Sequence, residues 1–149
     1  MINKDIIRLA SNTSNVGLKN KYSHKISLKN STCGDKITLE LIADKKKISS
    51  MKYETISCVY CEASASLLSR KIKNVKLKDI KNDLITLKKI SLKKNVKTPK
   101  RLSDFEKLLN SDNFNRFKCI FLPIDAVLKA LKLWKKYTLF YLCLVFFPK

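Results

Sequence analysis

The stretch Ser57-Cys-Val-Tyr-Cys-Glu-Ala-Ser-Ala-Ser66 constrains the fold more than any other, because it sets a thiol where one kind of secondary structure must give way to another. Residues 49–56 read as a strand that runs directly into it. Cys61, Ala65, Leu68 and Ile72 then recur at helical spacing, which predicts a helix starting near Val59, that stripe buried, and Cys58 at the N-terminal end. Backbone N–H groups without intrahelical partners and the positive end of the helix dipole favour a thiolate at such a position, and the thiolate is the form that binds metal or attacks sulfur. Taken alone, the same setting also suits a buried, inert cysteine.

Two strands should precede this junction. Residues 25–30 alternate with Ile26 and Leu28 on one face, and residues 36–43 alternate with Ile37, Leu39, Leu41 and Ala43. Between them Cys33-Gly34-Asp35 makes a tight turn in which Gly34 can take a positive φ, so that Cys33 and Asp35 point toward one spot. With the strand over 49–56 the three form an antiparallel meander whose Cys33–Asp35 hairpin and Cys58 exit lie at the same end. Residues 5–9 predict a short helix burying Ile6, Ile7 and Leu9, and Asn15-Val16-Gly17 a turn. Leu77, Ile80, Leu84, Leu87 and Ser91 predict a longer helix, residues 93–100 a polar loop, and the capping box Ser103-Asp-Phe-Glu106 the start of a short helix through Leu109. After Cys119, the stripe Ile124, Val127, Leu128, Leu131 and Trp134 predicts a last helix to about Tyr137, with Pro123 tolerated in its first turn. The expected class is α+β, a three-stranded antiparallel sheet packed against several α-helices.

Three motifs, Asn30-Ser-Thr-Cys-Gly-Asp35, Cys58-x-x-x-x-Ala-Ser-Ala-Ser66 and Arg116-x-Lys-Cys119, occur in an order and spacing that resemble the IscU/SufU/NifU N-terminal family of iron–sulfur cluster assembly scaffolds and sulfur acceptors, over roughly residues 3–133. Three thiolates and a carboxylate form a tetrahedral donor set suited to zinc, and thiolates are the ordinary ligands of iron–sulfur clusters. The resemblance assigns that role to Cys33, Asp35, Cys58 and Cys119. It further implies that Cys119 accepts sulfane sulfur from a cysteine desulfurase, with Arg116 and Lys118 beside it to stabilise the thiolate or persulfide. Downstream scaffolds or apo-protein acceptors would be the other partners, and a transient iron–sulfur cluster the cargo. Asp35, the hardest donor, should be the ligand most easily displaced. The long segment before the third cysteine, the Arg-x-Lys-Cys motif, Lys118 where the IscU branch carries histidine, and the missing Leu-Pro-Pro-Val-Lys motif all point to the SufU-like, zinc-binding branch. Such a protein is a scaffold or sulfur carrier more than a stand-alone enzyme.

A chain of 149 residues with 45% hydrophobic content builds one core without staples. The domain is expected over residues 1–137, with 138–149 an apolar tail too short to span a bilayer. Five scattered cysteines and no secretory segment indicate free or metal-bound thiols in a cytoplasmic setting, as a monomer or weak dimer. The formal charge of +20 raises nucleic-acid binding as an alternative. Its lysines are spread over every segment, however, and arginine stands only at 8, 70, 101 and 116 beside abundant Ile and Asn, the signature of AT-rich coding. A basic nucleic-acid module with structural zinc should also show paired Cys or Cys/His knuckles and an Arg/aromatic face, and neither is present.

The other alternative is a Cys58-x-x-Cys61 thiol oxidoreductase. Val59 and Tyr60 replace the usual small or proline residues, and the helical stripe turns Cys61 inward, so Cys61 reads as core. Cys143 in the apolar tail reads as buried, the single histidine, His24, as solvent-facing or capping, and Ser64 and Ser66 as packing against backbone, since no acid–base partner accompanies them.

Overall fold

In the computed structural model, which describes residues 2–93 and 95–133, the N-terminal helix α1 (Lys4–Ala10) leads into strands β1 (His24–Lys29), β2 (Lys36–Ala43) and β3 (Lys47–Ile56). Helix α2 (Val59–Lys71), strand β4 (Val75–Lys76), helix α3 (Leu77–Ile90), two 3₁₀ segments (Lys100–Lys107 and Ser111–Arg116) and helix α4 (Phe117–Ala130) follow. The sheet order is β1-β2-β3-β4, antiparallel throughout. The fold is therefore α+β as expected, but with four strands rather than three. The fourth is two residues long, too short to carry a period-2 signal. It is placed by Asn74, which takes φ 62° and donates from its backbone to the Ile48 carbonyl at 2.7 Å.

Alternation decides the layers. Ile37, Leu39 and Leu41 on β2, with Ile48, Met51 and Tyr53 on β3, are buried against α2 and α4. The α2 stripe Cys61, Ala65, Leu68 and Ile72 is fully buried, with Cys58 as the N-cap residue. On the opposite face, Glu40 is buried by the incoming chain: its Oε2 accepts from the Lys19 and Asn20 amides at 2.8 and 3.1 Å, and its Oε1 lies 3.2 Å from Lys25 Nζ. The 15–17 turn docks on the free edge of β3. Gly17 N–H donates to Tyr53 O and Tyr53 N–H to Asn15 O, so that edge is not left as a row of open donors.

Several local expectations change. In α1 only Ile6 is fully buried; Leu9 is partly so, and Ile7 is half exposed, because neighbours on a helix point some 100° apart. The turn containing Ser103–Glu106 begins at Lys100, with Pro99 ahead of it, so Ser103 lies inside the turn and does not cap it. Helix α4 starts at Phe117, two residues before Cys119, which puts Pro123 in its interior. Proline has no N–H, so the Cys119 carbonyl loses its intrahelical donor there. Trp134, Tyr137, Cys143 and the 138–149 tail lie outside the described residues. Among the described residues no helix is long and apolar enough to cross a membrane.

Candidate metal centre

Three chain segments deliver the thiols. The β1–β2 hairpin is shaped by Asn30, whose side chain accepts from the Thr32 amide at 3.0 Å and whose carbonyl accepts from the Gly34 amide at 2.8 Å. Gly34 takes φ 77°, the left-handed conformation the turn requires. This leaves Cys33 exposed at the tip and turns Asp35, 5% exposed, inward. Cys58 arrives at the N-terminus of α2, and Cys119 at the third residue of α4, where it is 3% exposed.

The four groups meet. Asp35 Oδ1 accepts from the Cys58 amide at 3.0 Å, and Oδ2 lies 3.3 Å from Cys58 Sγ. The Cys33 and Cys119 sulfurs are 3.5 Å apart, and the ligand atoms of Cys33, Asp35 and Cys119 all lie within 4.8 Å of one another. Tetrahedral zinc with Zn–S of ~2.3 Å puts sulfurs about 3.8 Å apart and a sulfur and carboxylate oxygen about 3.5 Å apart. Cys33, Asp35 and Cys119 fit such an ion in chemistry and in spacing, while Cys58 joins them through Asp35 and its sulfur lies outside that close group.

Electrostatics follow from the same contacts. Burial pushes the Asp35 carboxyl up, but the Cys58 amide and hydrogen bonds from the three thiols outweigh it and hold the group below its ordinary value. Burial, then the bonds with Cys33 and Asp35, push the Cys119 thiol up. Cys61 is different. It is wholly inside, and burial raises its thiol to about 12 despite a hydrogen bond from Ser57. Cys58 turns to Asp35 while Cys61 packs in the core, which argues against a Cys58–Cys61 redox pair, and the four described cysteines are all free.

The flanking cations have other contacts. Arg116 stacks over the Tyr60 ring, its guanidinium carbon 5.6 Å from the centroid, and Lys118 lines a neighbouring cleft of about 680 Å³. His24 begins β1 and pairs with the Ser23 hydroxyl at 2.8 Å.

Sequence reasoning did not single out Tyr60, Glu62 or the cleft. Glu62 accepts from the Tyr53 and Thr55 hydroxyls. The serines of α2 do bond backbone as expected. Ser66 Oγ donates to Asn12 O at 3.0 Å, and Ser64 Oγ donates to Ile120 O at 2.6 Å, tying α2 to α4 one residue past Cys119.

Comparison with known proteins is consistent across sequence and fold. A profile of the NifU-like N-terminal domain matches residues 1–137. The iron–sulfur cluster assembly scaffold protein IscU of Thermotoga maritima is 31% identical over 105 residues, covering 70% of this chain and 73% of the relative. Among solved structures, a NifU-like N-terminal protein from Brucella abortus aligns with a TM-score of 0.77 at 22% identity, over 87% of this chain and 91% of its own. A SufU protein from Fervidobacterium islandicum AW-1, described as a scaffold candidate of the SUF system, aligns with a TM-score of 0.71 at 22% identity, over 87% and 96%. These two likenesses establish a shared fold.

Proposed function

The chain belongs to the NifU-like N-terminal domain family, and from that premise we propose that it is an iron–sulfur cluster assembly scaffold that takes sulfane sulfur from a cysteine desulfurase and hands cluster to acceptor proteins in a reducing compartment. The observation that carries the proposal is the convergence of Cys33, Asp35 and Cys119 onto one spot, with Cys58 joined to it through both oxygens of Asp35. Those residues would hold zinc in the resting protein and the iron–sulfur cargo during assembly. Bound zinc would keep the thiols as thiolates and join the three segments. We place the chain nearer the SufU-like branch on its residues, Lys118 ahead of Cys119 above all, although the Thermotoga maritima relative carries the IscU name.

In the transfer, an acceptor thiolate attacks the outer sulfur of the donor's persulfide. A new S–S bond forms, the donor's S–S bond breaks, and the donor cysteine leaves as a thiolate. Cys119 is the acceptor in this proposal, with Arg116 and Lys118 supplying positive charge. A second reading is favoured by exposure: Cys33 is open to solvent where Cys119 is buried, so sulfur can enter at Cys33 and reach Cys119 across their 3.5 Å contact. Asp35 has one oxygen committed to the Cys58 amide, which leaves Oδ2 as its exchangeable ligand atom.

The test is a desulfurase assay on single Cys→Ser variants at 33, 58, 61 and 119, with zinc measured on each by elemental analysis. The expected result is about one zinc per chain, lost at 33, 58 and 119 and retained at 61, with persulfide labelling and desulfurase stimulation abolished in Cys119→Ser. Loss at Cys33→Ser with label retained on Cys119 in the other variants would identify Cys33 as the point of entry. A metal-free protein whose melting ignores added zinc would sink the metal centre. An inactive Cys61→Ser beside a fully active Cys119→Ser would replace the scaffold reading with the redox pair.

A further inference from the structure

The cleft beside the thiols has a chemistry of its own. One wall is an aromatic ladder, Phe114, Phe117 and Phe121, with successive ring centroids 5.4 and 5.9 Å apart, and Phe114 at its top is 64% exposed. Lys29, Lys118 and Lys129 line the same space, and Asp125, a carboxylate on its wall, is in contact with Lys88. The cleft also abuts the site by chain continuity: Thr32 and Lys118 line it, and each directly precedes a thiol, Cys33 and Cys119.

We propose that this cleft is a docking site for an acidic polypeptide segment bearing an apolar anchor residue, contributed by the protein that exchanges sulfur or cluster at the thiols. A large exposed aromatic above an apolar wall marks a surface that a partner covers. The lysines that line the cleft select a partner of opposite sign and speed its approach. The ring planes are inclined by 58° and 76°, so successive rings pack on one another as a continuous apolar wall against which an inserted side chain can rest. The inference rests on the scaffold reading for what the partner does at the thiols; the cleft's selectivity is a separate matter and is tested separately.

The probe is a fluorescein-labelled peptide in which Asp and Glu surround Leu and Phe, titrated with the full chain and followed by fluorescence anisotropy. Lys29→Glu and Phe114→Ser, both at exposed positions, should each weaken binding about tenfold. Lys45→Glu makes the same charge change in the β2–β3 turn, at the other end of the sheet, and should leave binding within twofold. A peptide of Asp and Glu alone should bind more weakly and ignore Phe114→Ser. Equal weakening by Lys29→Glu and Lys45→Glu would mean a diffuse charge effect and overturn the site. Displacement of the peptide by an equimolar oligothymidylate would overturn it in favour of nucleic acid. Peptide binding that requires prior removal of residues 138–149 would assign the cleft to this chain's own C-terminal segment, also against the proposal. Zinc measured on each variant reports the metal centre independently, so loss of one function is not mistaken for loss of the other.

Discussion

Replacing Ser64 with alanine tests how the thiol-bearing helices are held in register. Ser64 is fully buried, and its hydroxyl donates to the Ile120 carbonyl at 2.6 Å, one residue past Cys119 and in the stretch of α4 that Pro123 interrupts. Alanine fills nearly the same volume, so no cavity arises; what is lost is one buried hydrogen bond to a carbonyl that water cannot reach. Such a loss costs about 1–2 kcal/mol. With a urea m-value of about 2 kcal/mol/M, ~1.5 kcal/mol lowers the unfolding midpoint by ~0.7 M at unchanged slope. Because the bond sets α2 against α4 beside Cys119 and six residues beyond Cys58, Ser64→Ala should also weaken zinc retention in a chelator competition, although no ligand has been touched. An unchanged midpoint would refute the energetic argument. A lowered midpoint with zinc retention intact would show that the bond stabilises the core without positioning the thiols.

The remaining expectations are briefer. Cys61, buried and with its thiol raised to about 12, should resist iodoacetamide at neutral pH while Cys33 is alkylated, as read by mass spectrometry of the native protein; equal labelling would contradict its place in the core. Cys61→Ser should cost on the order of 1 kcal/mol in a denaturant melt while sparing zinc content. Burial raises the Glu40 carboxyl, but the Lys19 amide, Lys25 and the Asn20 amide hold it below its ordinary value. Its stabilisation is therefore present above the ordinary glutamate pKa of about 4.3 and lost as pH falls through the lower folded value, so Glu40→Gln should flatten the acid limb of a stability–pH curve. Removing residues 138–149 should leave zinc content unchanged, since no proposed ligand lies there.

What could be read in advance was local. The Cys33-Gly34-Asp35 turn and the Cys58 helix start are each decided by a few neighbouring residues: a glycine free to take φ 77°, and an apolar stripe that begins three residues after the thiol. Their meeting followed from strand alternation, since a meander returns β3 to the end where its first hairpin lies. The rest depended on segments far apart in the chain. β4 was invisible because two residues have no periodicity, and the cleft because its walls come from the β1–β2 loop, the end of α3 and α4. Arg116 was read as a neighbour of Cys119 from the Arg-x-Lys-Cys motif; its contact with Tyr60, which joins the N-terminus of α2 to that of α4, was not legible.

Exposure of the thiols belongs to that second class, and it bears most directly on mechanism. The motifs place Cys33 and Cys119 on equal terms as ligands. Packing separates them, leaving one on an open hairpin and the other inside the first turn of α4. Asp35 lies between these extremes, buried and fixed through Oδ1 to the start of α2. Of the four proposed donors, Cys33 alone is exposed on a loop. The proposed centre thus has Cys33 and Asp35 on one hairpin, the first exposed and the second buried, and Cys58 and Cys119 at the starts of two helices. Exchange with a partner should begin at Cys33, whichever thiol finally carries the sulfur.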